Sequence, residues 1–191
     1  MEELIEFYSY IEQLKCVTRY KSFKAMHENV AGHIFGTLFV AYDLMAKYDL
    51  KLNKSHVLEL LLFHDLAEAG MKFDIEAPNS AGNANIKQLK HIEEVNKISA
   101  ISEKFKKPYI IKFFNEFEEK QTREALFANL VDKIEAQNHM IQNKCKDLQV
   151  LEDYNFIINF ADKYVLHFPE LNGVVEQLKQ KLKSFIPENL K

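Results

Sequence analysis

The chain has 191 residues, 47% of them hydrophobic and 28% charged, with a formal net charge of −3. That balance fits one globular domain with a substantial core, disfavours broad binding to a nucleic-acid backbone, and contains no apolar run of the roughly 18 residues that span a bilayer. Cys16 and Cys145 make no CxxC and no disulfide framework, and Met1-Glu2-Glu3 lacks the basic region of a signal peptide; a cytoplasmic protein with neither membrane nor nucleic-acid partner is expected.

In chain order, Leu4, Ile5, Phe7, Tyr8, Ile11 and Leu14 recur at helical spacing, which predicts a first helix over 3–17. Thr18 to Glu28 is more polar and reads as a connection that delivers Arg19 and Tyr20 to the start of a second helix. That helix is predicted from Asn29, its N-cap, to Lys47. On it His33 shares a face with Gly36, Thr37 and Val40, small or slim neighbours that leave space around the ring. Asp49 to Lys54 is a polar turn, and Ser55 can cap the next helix.

The next stretch, Leu58-Glu59-Leu60-Leu61-Leu62-Phe63-His64-Asp65-Leu66-Ala67-Glu68-Ala69-Gly70, has the composition of a buried helix that ends in ionisable groups. Burying such groups is costly unless they are paired or hold a metal. If the helix continues, Glu68 shares a face with His64 and Asp65. Residues 70–85 carry Gly70, Pro78, Gly82 and several Asn, the longest loop signal in the chain. It reads either as a substrate lid or as a plain surface loop.

Helices are then predicted over 86–106, from Pro108 to about Glu118, and from Thr122 to about Asn143. The last buries Phe127, Leu130, Val131 and Ile134 on one side and lines Asp132 up with Ala125, Ala128 and Ala136 on another, so a second packed face is expected there. Residues 151–168 and 172–186 read as two closing helices. No convincing strand alternation is present, and the fold class is all-α, one domain over 1–191. The scattered Phe and Tyr read as core.

His33, the pair His64-Asp65, and Asp132 therefore form a mixed imidazole and carboxylate set on three helices, suited to a divalent transition metal. A water on such an ion is acidified and can attack a phosphate ester. His33…His64-Asp65…Asp132 resembles the H…HD…D signature of the HD-domain metal-dependent phosphohydrolases. Glu28-Asn29-Val30-Ala31-Gly32-His33, His64-Asp65-Leu66-Ala67-Glu68-Ala69 and Val131-Asp132-Lys133-Ile134-Glu135-Ala136 are similar to the matching segments of the branch that contains bacterial 5′-deoxynucleotidases. The resemblance covers roughly residues 4–150, and residues 151–191 add C-terminal helices.

The resemblance implies a compact helical HD fold and one divalent ion (Mn, Co, Fe, Ni, Zn or Mg) on His33, His64, Asp65 and Asp132. Glu68 and Asp65 become the catalytic carboxylates, with Glu68 the general acid/base. Arg19 grips the substrate phosphate, Tyr20 borders the sugar, and Asp74 contacts substrate. The expected partner is a small phosphorylated molecule, a nucleoside 5′-monophosphate, and the expected assembly a homodimer. Gly32 departs from the branch, which carries Glu before the first metal histidine. Arg19, Lys21, Lys24, Lys72 and Lys87 are the basic residues expected near the site, too few for a highly charged polyphosphate. Two other readings stay open: hydrolysis of another phosphorylated metabolite or a nucleotide polyphosphate, and a sensor that binds metal and nucleotide without turnover.

Overall fold

The computed structural model describes residues 2–19, 27–70, 84–145 and 147–190. Tyr20, Lys21, Lys24, Lys72, Asp74 and most of the 70–85 loop lie outside the described residues, as does the side chain of Lys87.

Helix α1 (Glu2–Glu12) runs into a 3-10 turn at Gln13–Lys15. Within the stretch expected to be a bare connection, Thr18–Arg19 (β1) and Glu28–Asn29 (β2) pair antiparallel, with Thr18 opposite Asn29 and Arg19 opposite Glu28. This short ladder was invisible as alternation because two residues a side carry no period. Helix α2 (Val30–Lys47) starts where expected, the Asn29 side chain accepting from the Gly32 amide at 2.7 Å. Helix α3 (Lys54–Phe63) is capped by Asn53, whose side chain accepts from the His56 amide, and not by Ser55. Asn53 takes the role because it holds the extended backbone of a cap while Ser55 already lies inside the helix.

Helix α4 (Ala84–Lys104), α5 (Pro108–Glu119, with Pro at its first turn) and α6 (Arg123–Gln142) follow. Thr122 caps α6 as expected, accepting from the Ala125 amide at 3.1 Å. The closing segment breaks into α7 (Leu151–Ile158), α8 (Asp162–Val165) and, after a 3-10 turn at Pro169–Leu171, α9 (Asn172–Lys183). Gly173 falls inside α9. The architecture is all-α apart from the two-residue ladder.

Helices α2, α3 and α6 pack on one another around Ala41, Leu44, Leu60, Leu61, Phe127 and Leu130. A second core joins α1, the start of α2, α4 and α5 through Phe7, Val30, Ile34, Ile98 and Phe114. α6 is buried on two sides. Ala125, Ala128 and Ala136 are all inaccessible, and they let α6 approach its neighbours closely enough to bring Asp132 into the interior. No described helix is long and apolar enough to cross a membrane.

Candidate metal and phosphate site

The site forms where α2, the end of α3 and α6 meet. His33, in the second turn of α2, is fully buried; His64 and Asp132 are nearly so. His33 Nε2 lies 3.1 Å from Asp132 Oδ1, 3.4 Å from His64 Nε2 and 3.7 Å from Asp65 Oδ2. His64 Nε2 lies 3.2 Å from the same Asp65 oxygen. The three segments that carry these residues do converge, as the spacing required.

The second nitrogen of each ring fixes its chemistry. His64 Nδ1 donates to the Leu61 carbonyl at 2.7 Å, and His33 Nδ1 donates to Glu135 Oε2 at 2.5 Å. A carbonyl and a carboxylate only accept, so both Nδ1 atoms carry hydrogen and both Nε2 atoms are the ligand-capable ones. Two such nitrogens face each other beside two carboxylates. Such a mixed imidazole and carboxylate donor set is one that a divalent ion fits. The same field acts on titration. Burial and Arg19 press His33 down, but bonding to Asp132 and Glu135 lifts it to about 9. Burial would raise Asp65, yet His64, Arg19 and His33 together hold its carboxyl far below the usual range.

Glu135 carries no role in the resemblance, although its segment matches. It lies in the matched Asp132 segment, one helical turn after Asp132. The space beside His33 that Gly36 leaves is filled by its carboxylate. A Cβ on Gly36 would sit 2.8 Å from Glu135 Oε1. Glu28 stands behind, 3.9 Å from His33 Nδ1 and 3.6 Å from His139 Nδ1, and burial followed by repulsion from Glu135 pushes it up to about 7. Gly32, by contrast, is exposed and meets only Asn29 and Glu28. The carboxylate against His33 here is Glu135, which reaches the ring from another helix. Gly36→Ala is expected to displace that carboxylate and weaken binding of added manganese by about 10–100-fold, measured by titration of the metal-stripped protein.

Glu68 does not sit on a continuation of α3. The helix ends at Phe63, His64 is its C-cap, and Leu66–Glu68 forms a 3-10 turn whose Glu68 amide donates to the Asp65 carbonyl at 3.0 Å. Gly70, at φ +77°, closes the turn in the left-handed region that favours glycine. Tyr10 Oη pins it to α1 by donating to Ala69 O at 3.0 Å. The expected shared helical face is therefore a tight turn, which buries Glu68 with its Oε1 3.4 Å from Lys90 Nζ. Arg19 reaches the cluster from β1, its Nη1 3.7 Å from Asp65 Oδ2.

The open side of the cluster is a cavity of about 310 Å³ that His64, Asp65 and Asp132 line. Lys90, Lys120, Lys133 and Lys163 line it too. The expectation of few basic residues near the site is overturned among the described residues. These lysines come from four separate elements, and no local pattern links them. Lys133 Nζ donates to Asp132 Oδ2 at 2.5 Å. Glu94 also lines the cavity, and burial, partly offset by Lys90, raises it to about 7 from 4.5. The fold therefore disfavours its ionised form: the cost is absent below about pH 4.5, grows as pH rises, and is complete above about pH 7. Glu94→Gln is expected to stabilise the protein at pH 8 by up to about 3 kcal/mol and by nothing at pH 4.5, read from denaturant unfolding at the two values.

Comparison with known proteins places these features in a wider group. Residues 11–167 match the HD-domain family. The chain is 26% identical over 191 residues to a 5′-deoxynucleotidase of Vibrio atlanticus (strain LGP32), a match covering 87% of this chain and 97% of that one. It is 25% identical over 189 residues to the 5′-deoxynucleotidase HDDC2 of Danio rerio, covering 94% of this chain and 88% of the relative. Among solved structures, a conserved hypothetical protein from Pyrococcus furiosus superposes with a TM-score of 0.71 at 17% identity, over 92% of this chain and 99% of that one. A predicted metal-dependent phosphohydrolase from Magnetospirillum magnetotacticum MS-1 superposes with a TM-score of 0.67 at 18% identity, over 96% and 95%. At these identities the two structures speak to the fold alone.

Proposed function

This chain belongs to the HD-domain family, and on that footing we propose that it is a metal-dependent phosphohydrolase that cleaves the phosphomonoester of a 5′-nucleotide, a deoxynucleoside monophosphate in the first instance. The observation that carries this reading is the meeting of both Nε2 atoms with Asp65 and Asp132, each ring locked by its Nδ1 hydrogen bond. His33, His64, Asp65 and Asp132 would hold the ion. An ion there supplies a Lewis acid and an acidified water. Glu68, buried beside Lys90, accepts the proton of the attacking water and returns one to the leaving oxygen. Arg19 steadies Asp65 and offers its guanidinium fork to a phosphate oxygen. Tyr20 and Asp74 keep the substrate-contact roles that the resemblance implies.

The two 5′-deoxynucleotidase relatives support the nucleotide as substrate class. The four cavity lysines favour a second reading, a nucleotide with more than one phosphate, more than the sequence did. Phosphate release from a panel of nucleoside mono-, di- and triphosphates, with manganese or cobalt added, tests both. Turnover of monophosphates alone supports the first; turnover of di- or triphosphates supports the second. Binding with no turnover of any kind overturns both in favour of a sensor.

The homodimer belongs to the same proposal. Phe35, Phe39 and Tyr42 on α2 and Leu62 on α3 are 67%, 66%, 65% and 47% exposed and line one groove together with Leu38, Leu58 and Glu59. Their exposed side chains amount to roughly 400–500 Å². That matches the apolar share of one side of a standard homodimer interface, about 500 Å². Phe39→Glu is expected to yield a monomer by light scattering; a wild-type protein that is itself monomeric at micromolar concentration removes this assembly.

A further inference from the structure

The cavity at the metal cluster does not end at the lysines. A second cavity, of about 640 Å³, adjoins it, and Lys133, Phe156, Phe160 and Lys163 line both. Phe156 near the end of α7 and Phe160 in the turn after it have ring centroids 5.0 Å apart, and both are only half-buried. Two adjacent aromatic rings that stay partly open, on the wall between a charged cleft and a larger pocket, are unusual as mere core. Lys133 ties the two cavities together. Its ammonium group donates to Asp132 and stands 4.5 Å from the centroid of the Phe160 ring. Asn155 and Asn159 line the same pocket, the Asn159 amide nitrogen donating to the Asn155 carbonyl at 2.9 Å.

We infer that this second cavity is the subsite for the base of the nucleotide, which stacks on Phe156 while its phosphate lies at the metal cluster. The inference rests on the phosphohydrolase reading for the direction in which the substrate lies, and on the aromatic pair for its chemistry. A planar heteroaromatic ring gains from an aromatic face whatever its hydrogen-bond pattern. Asn155 and Asn159 line that pocket, and an amide side chain can meet donors and acceptors on a ring edge. The two cavities together have the size of a small-molecule site that holds a nucleotide. The segment that supplies the rings belongs to the C-terminal helices, beyond the stretch that carries the family motifs.

The test compares two ligands that share phosphate and sugar and differ in the base: deoxyadenosine 5′-monophosphate and 2-deoxyribose 5-phosphate. Affinities are measured by equilibrium dialysis with manganese in a Glu68→Gln background, so that neither ligand is consumed. The nucleotide is expected to bind about 5–100-fold more tightly, the range that one stacked base contributes. In Phe156→Ala/Phe160→Ala that ratio is expected to fall toward one. Phe156→Leu/Phe160→Leu keeps apolar packing on α7 without ring faces, and it should lower the ratio too if stacking is the cause. A ratio near one in the unaltered subsite, or a full ratio in the Leu variant, overturns the inference. Phosphate release by the wild-type protein is read separately. A preserved base preference without any release removes the hydrolase reading and leaves the subsite standing, while release without base preference does the reverse.

Discussion

Glu68→Gln is expected to lower the rate of phosphate release by about 10²–10⁴-fold, the usual share of a positioned proton carrier. Glutamine keeps the length of the side chain and its contact with Lys90, 3.4 Å away. It cannot take up a proton. Glu68 stands outside the set of four that would hold the ion, so metal content should match that of the wild type. Its backbone stays tied to Asp65 through the 3-10 turn, so the fold should be unchanged. A variant that loses metal together with activity would make Glu68 a ligand and not a proton carrier. A variant that retains more than a tenth of the wild-type rate would remove it from the chemistry.

The second large effect belongs to Asp132→Ala. Burial alone would raise this carboxyl, but Lys133, His33 and His64 surround it and hold it well below the usual range. Removing it strips the cluster of a ligand-capable oxygen 3.1 Å from His33 Nε2 and leaves Lys133 without its closest acceptor. Metal affinity should drop by more than the roughly 10–100-fold that loss of a merely supporting group costs. The cleanest readout is thermal. At an ion concentration 100 times its dissociation constant, the wild type should gain about 2.7 kcal/mol, or roughly 5–10 °C in Tm for a chain of this size. Asp132→Ala should gain nothing. An equal rise in the variant would place the ion elsewhere.

The four residues proposed to hold the ion were legible because each sits in a short local pattern. His33 and Asp132 lie on helices and His64-Asp65 follows the end of one, and the apolar spacing of each helix says which side turns inward. The caps at Asn29 and Thr122 were legible for the same local reason: a side chain bonds an amide three residues on. The turn at Leu66–Glu68 was not, since the apolar run continues through it and nothing in its composition ends a helix before Gly70. Glu135 was hidden differently. It belongs to the matched Asp132 segment, but its place behind His33 shows only once α2 lies against it and Gly36 opens the space it fills.

By itself the sequence determined an all-helical chain and the identity of the four residues that meet at its centre, because helical period and local capping are properties of neighbouring residues. Only the tertiary structure decided what surrounds them: the carboxylate behind His33, the lysines from four elements, and the aromatic pair beside the cleft. Those groups lie far apart along the chain, and what brings them together is the burial of apolar faces between helices. That force sets which surfaces touch, and no residue's immediate neighbours record it.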